Sequence, residues 1–114
     1  MRLVFGDGTC LPVIRRWLRL NLANEDLELD AELVCCELVT NAVEHGGGAG
    51  TVRVEVMANG EVRVEVDDGD AAGVLTVGRS RLDASRGRDL MIVRSVARWG
   101  VRRSVSGKTV WATL

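Results

Sequence analysis

An α+β two-layer sandwich is the fold class this sequence predicts, its mixed, mostly antiparallel sheet covered on one face by about three helices. Three observations predict it. Two alternating runs, "TVRVEVMA" and "EVRVEVD", flank Asn59-Gly60, and Asn-Gly between alternating runs is the strongest short-range signal for a β-hairpin. The closing stretch "VRRSVSGKTVWATL" reads as a second hairpin, turning around Ser106-Gly107. Apolar residues at helical spacing recur in separate stretches between and before these hairpins. Hairpins make antiparallel sheet, and helices with one apolar stripe must bury it against that sheet.

In chain order, Arg2 to Phe5 is a short β-prone run ended by "GDG". Pro12 stands near the start of a helical pattern, where proline is tolerated. Leu11, Ile14 and Leu18 share one face of it, while Arg15, Arg16 and Arg19 lie elsewhere, as a solvated face or a partner-docking or dimer surface. "NLANEDLELD" reads as a polar connection, followed by a strongly helical Ala31 to Glu44. In the first hairpin Val52, Val54 and Val56 point one way, as do Val62, Val64 and Val66, with Arg and Glu on the other face. Asp67 to Arg88 is mostly aperiodic, rich in glycine and charge, and a loop this long is usually functional or mobile. Leu90 to Trp99 returns to helical period, with Gly100 as its C-terminal stop.

The 114 residues form one domain, 1–114, large enough for a core without staples. Hydrophobic residues make up 46% and charged residues 27%, an ordinary globular balance. A net charge of -1 gives no overall field to recruit nucleic acid or membrane. No apolar run nears the ~20 residues of a membrane span, and no charged-then-apolar leader opens the chain. Cys10, Cys35 and Cys36 are odd in number and two are adjacent, which fits reduced thiols in the cytoplasm.

The polar residues that carry chemistry begin with "CELVTNAVEHGGG". Glu37, Asn41 and His45 are four apart, so on a helix they nearly stack as one stripe, with Glu44 beside its lower end. An asparagine oxygen is a hard ligand for Mg²⁺, and a glutamate one turn away can order or deprotonate a hydroxyl or water. Magnesium prefers substrate phosphates plus water to an all-protein cage, so the stripe points toward a nucleotide. Read alone, such a stripe is more often a solvated helix face. Asp67-Asp68-Gly69 closes a strand, where a carboxylate can accept from a base amino group or simply form a turn. In "SRGRDLMIV", Gly87 before a helix lets backbone N–H groups approach phosphate, with Arg86 and Arg88 as cationic contacts. Thr109 of "GKTVW" is a strand hydroxyl that can face a ligand or be a β-prone residue and nothing more.

Together these segments are more specific than apart. "ELVTNAVEHG", a strand ending in Asp, a long loop, "GRDLMIV", then "WGV" and "GKTVWA" resemble the GHKL ATPase superfamily, and within it the small bacterial anti-sigma regulatory factor kinases, from about Pro12 to the C-terminus. The resemblance implies ATP and Mg²⁺ as cofactors. It implies Glu37 as the general base or water-orienting carboxylate and Asn41 as the Mg²⁺ ligand. His45, at the end of the same box, lines the nucleotide pocket or has a structural role. The adenine amino group would be met by Asp68, which the valine alternation selects, or by Asp67, which the family's Asp-x-Gly spacing selects through Gly69; Asp68 is favoured. Thr109 would support the adenine site through a water. A short lid over the phosphates would run from Gly69 to Arg86, and Gly87, Arg88 and Leu90 would form the box at its end.

One departure stands in that box. The family commonly has Gly-x-Gly-Leu, and here the run is Gly87-Arg88-Asp89-Leu90. If Asp89 points at the phosphates, then at ~4 Å and an effective dielectric near 20 it repels a phosphate charge by about 4 kcal/mol before screening; pointing away, taking a cation or capping the helix, it costs little. The resemblance therefore implies either a protein serine/threonine kinase or a nucleotide-binding adaptor with little turnover. The kinase would act on an anti-anti-sigma partner of STAS type and sequester a sigma factor. Homodimers fit the family, with no direct contact to nucleic acid or membrane. A third reading keeps the fold as a protein-interaction domain with a vestigial pocket, against which the joint presence of Glu37 and Asn41 argues. Gly46 to Gly48 read as a helix terminator.

Overall fold

The computed structural model describes residues 1–45, 47–69 and 96–114. Strand β1 (Arg2–Phe5) leads through a single 3-10 turn (Gly8–Cys10) into helix α1 (Leu11–Asn21) and helix α2 (Glu25–His45). Strands β2 (Gly50–Val56), β3 (Val62–Asp68), β4 (Arg98–Ser104) and β5 (Gly107–Thr113) follow. The sheet order is β1-β2-β3-β5-β4, and every described pairing is antiparallel.

The helices start where side chains can serve their unpaired N–H groups. Asp7 accepts from the Thr9 amide at 2.9 Å ahead of the 3-10 turn, and Pro12 sits in the first turn of α1. The connection between α1 and α2 is shorter than the polarity of "NLANEDLELD" suggested. Helix α2 begins at Glu25, not at Ala31, because the Asn24 side chain accepts from the Leu27 amide at 3.0 Å. Glu25, Asp26 and Glu28 then stand in the first turn, where negative charge complements the helix dipole. Arg15 and Arg19 of α1 turn toward α2, approaching Glu28 and Glu32 at 3.4–3.7 Å.

Both helices cover one face of the sheet. Ile14 and Leu18 of α1, with Val34, Cys35, Leu38 and Val39 of α2, meet Val52, Val54, Val62, Val64, Val66, Val110 and Ala112, all buried. Alternation along β3 is complete, from Val62 to Asp68. It fails only at the hairpin end of β2, where Val56 is 42% exposed. The hairpin itself is a three-residue loop closed by Met57 and Glu61, with Gly60 at φ 86. Cys10 and Cys35 are buried free thiols, and burial pushes Cys35 up to about 12.

The expected helix from Leu90 to Trp99 needs correction at its end. Val96 is helical, but Arg98 already begins β4, so Trp99 and Gly100 are strand residues and Gly100 is no helix stop. Trp99 pairs with Ala112 and packs against the core. The second hairpin turns at Val105-Ser106, with Ser104 and Gly107 as its closing pair. Residues 90–95 lie outside the described residues.

Candidate functional site

Helix α2 positions the first group. Val34, Leu38 and Ala42 fix its buried stripe, and Glu37 and Asn41 fall on the flank of that stripe, both half-buried. His45, one turn further on, is exposed and approaches the Glu44 carboxylate at 3.4 Å through Nε2. The helix ends there, with Gly47 and Gly48 at positive φ. Only residues 46–49 separate its end from β2, and Gly50 of β2 pairs with Asp68 of β3. The C-terminal end of α2 and the Asp67-Asp68 end of β3 therefore lie at the same end of the sandwich.

At that end the sheet's two faces part company. Asp68 extends the buried side of β3 beyond Val66, and its register partner on β5 is Lys108. The Lys108 Nζ stands 3.1 Å from Asp68 Oδ2, with side chains 6% and 2% exposed respectively. Breaking such a pair by removing one member strands a charge and typically costs about 3–5 kcal/mol. The strands close tightly around it: a β-carbon on Gly107 would stand 1.9 Å from the Asp68 carbonyl oxygen, and one on Gly50 would stand 2.0 Å from that of Asp67. Only glycine permits that approach. A cavity of about 310 Å³, at the low end for a small-molecule site, opens at this end of the strands; Asp67 and Thr109 line it together with Asp68, Lys108 and Ser106.

Asp67 faces the other way, onto the side of the sheet without helices. Its carboxylate accepts from Arg53 at 2.5 and 3.1 Å and from the Thr109 hydroxyl at 2.5 Å. Arg53 also donates to Glu65 at 2.8 Å, which Arg63 and Arg102 approach at 2.9 and 2.8 Å. The Arg53 guanidinium, above all, holds Asp67 below the usual carboxylate range and Glu65 down at about 2. Thr109 is thus joined to Asp67 and not to Asp68, which sits on the opposite face.

The strand alternation that favours Asp68 over Asp67 agrees with this division of faces. Lys108, beside Asp68, is a residue to which sequence reasoning assigned no role. A signal was present: it is the only lysine in a chain with fourteen arginines. Gly69 follows β3 and is exposed. The rest of the expected lid to Arg86, and the box of Gly87, Arg88, Asp89 and Leu90, lie outside the described residues. Among the described residues, no cluster of three or more His, Cys, Asp or Glu side chains is placed to hold a metal ion by itself. Nor is any described helix long and apolar enough to cross a membrane.

The family model of the histidine kinase-like ATPase domain matches residues 8–114. Among solved structures, the chain is similar to the histidine kinase domain of the blue-light activated histidine kinase of Erythrobacter litoralis EL346. Identity is 20% and the TM-score 0.58, covering 94% of this chain and 59% of that one. A second structure of the blue-light activated kinase gives 20% identity and a TM-score of 0.57, covering 94% and 41%. The chain thus spans about half the length of these structures, and at this identity the likeness concerns the fold. No curated protein matches. A sheet in the order β1-β2-β3-β5-β4 under two helices, ending in a buried aspartate, and a family match over nearly the whole length lead to one conclusion: the chain belongs to the histidine kinase-like ATPase domain family.

Proposed function

We propose that the chain is an ATP- and Mg²⁺-dependent regulatory kinase of the anti-sigma type, which transfers phosphate to a serine or threonine of a STAS-type anti-anti-sigma protein and sequesters a sigma factor. The observation that carries this reading is the pairing of Glu37 and Asn41, one turn apart on the half-buried flank of α2, a helix whose C-terminal end lies at the end of the sandwich where the Asp68 carboxylate is buried. Asp68 would accept from the adenine amino group. Asn41 would offer its amide oxygen to the metal, and one hard oxygen suits an ion that takes its remaining ligands from phosphate and water. The metal, when bound, supplies neutralisation of charge on the transferring phosphate. Glu37 would orient the acceptor hydroxyl and take its proton. His45, exposed at the helix end, would line the nucleotide pocket. Thr109 is joined to Asp67 on the opposite sheet face, which supports Asp68 as the base contact. A cytoplasmic homodimer would suit this role.

The test is magnesium-dependent ATP binding by calorimetry, followed by incubation with labelled ATP and candidate STAS partners. Label on the partner supports the kinase. Bound nucleotide without transfer to any partner overturns the kinase and leaves nucleotide binding standing.

Asp89 favours a second reading, an adaptor that binds nucleotide with little turnover. That reading expects Asp89→Gly to raise ATP affinity clearly; unchanged affinity removes it.

A further inference from the structure

The pair at the end of β3 is more than a structural ion pair would need to be. Asp68 and Lys108 are direct partners across two neighbouring strands, on the helix-covered face, almost fully enclosed and 3.1 Å apart. Glycines on both flanking strands let the backbone clamp this corner. An ammonium carries three N–H donors and no acceptor, and a carboxylate offers acceptors only. The contact with Asp68 Oδ2 uses one donor of Lys108. The corner therefore holds an acceptor and a donor side by side, beside a cavity that Asp67 and Thr109 also line. A structural ion pair could equally have used arginine, which this chain uses fourteen times; the single lysine stands here. An ammonium has three rotatable donors, whereas a guanidinium holds its donors in a rigid plane.

Resting on the nucleotide-binding reading above, we propose that Lys108 is a second base-reading group: its ammonium donates to the ring nitrogen next to the amino group that Asp68 accepts from. The pair then selects a purine that presents an amino donor and a ring acceptor as neighbours, which is the order on the adenine edge. Guanine carries the reverse order, a carbonyl acceptor beside a ring N–H. In the same seating it sets its oxygen against the Asp68 carboxylate and its N–H against the Lys108 ammonium. Lys108 is in this sense a specificity residue of the site and not a reacting group.

The experiment compares ATP, GTP, 1-deaza-ATP and 7-deaza-ATP in calorimetric titrations of the full chain with Mg²⁺. 1-deaza-ATP lacks the acceptor that Lys108 would meet, and 7-deaza-ATP lacks one on the far edge of the base. Wild type is expected to lose about tenfold or more in affinity for 1-deaza-ATP, the scale of a hydrogen bond to a charged group, and to bind 7-deaza-ATP nearly as well as ATP. Lys108→Met is expected to bind ATP and 1-deaza-ATP alike, and Lys108→Arg, which keeps a donor, to retain part of the discrimination. Equal binding of ATP and 1-deaza-ATP by wild type overturns the role of Lys108 while sparing nucleotide binding. So does discrimination that survives in Lys108→Met. If Lys108→Met fails to fold by circular dichroism, the wild-type analogue series decides alone. A folded wild type that binds none of these nucleotides overturns both this inference and the reading it rests on.

Discussion

The indole of Trp111 rests against Gly100, its register partner on the edge strand β4. A β-carbon at Gly100 would stand 2.7 Å from Cζ2 and 2.8 Å from Nε1 of that ring. On the same sheet face, the Arg63 guanidinium lies 4.9 Å from the ring centroid. The glycine makes room for the indole, and the arginine sits over it.

Gly100→Ala is therefore expected to destabilise the fold by about 1–3 kcal/mol, the usual range for overpacking. In an open strand the same change would be mildly favourable, because glycine weakens strands. Urea unfolding followed by tryptophan fluorescence checks it. A stability equal to wild type would mean that the indole moves aside freely.

Asn24→Ala should lower stability by about 1 kcal/mol through loss of the cap on the Leu27 amide. Asn24→Ser should restore most of it, since a hydroxyl can accept the same hydrogen. Thermal melts of the two variants at one pH separate the cap from a general effect of substitution.

Acid should unfold the domain through Glu65 and Asp67. Both carboxyls are depressed in the folded state, Glu65 to about 2 against an ordinary 4.5. A depressed carboxyl stabilises the fold above its unfolded value and loses that contribution as pH falls toward the folded one. The window is thus about pH 4.5 down to 2 for Glu65. Arg53 is the first cause of both shifts, so Arg53→Met should flatten the fall in stability across that window. Chemical denaturation at stepped pH values measures the slope, and an unchanged slope would assign the acid response to other groups.

Asn41→Ala should reduce magnesium-dependent ATP binding by at least about tenfold, the loss typical even of partners outside the metal's direct ligands. Its half-buried position on the flank of α2 predicts little change in fold. Calorimetry with and without Mg²⁺, beside a circular dichroism spectrum, distinguishes lost binding from lost structure.

The strands were legible because their pattern is local. Val62, Val64 and Val66 alternate with charge and Asn59-Gly60 punctuates them, so hairpin, register and buried face all follow from neighbouring residues. The same alternation carried through to Asp68 and put it on the buried side. The start of α2 was hidden by its own cap: Asn24 and three acidic residues look like a solvated connection, yet those residue types open helices. Trp99 continues a helical apolar period in sequence and Gly100 reads as its stop, but pairing with Ala112 and Trp111 makes them strand. Distant pairing overrode local spacing there. The same cause hid Lys108, whose meaning depends on β5 lying between β3 and β4, an adjacency no local pattern announces.

That strand order also sets a sequence of events in time. On a growing chain β3 is finished long before the partner that will flank it, and β4 emerges first without belonging beside it. Until Gly107–Thr113 pair with it, β3 has one open edge, with the sticky character of any unpaired strand. The corner holding Asp68 and Lys108 is made by that same pairing. Completion of the Asp68–Lys108 corner thus requires the same strand pairing that completes the sheet, so a truncation that removes β5 would take both together.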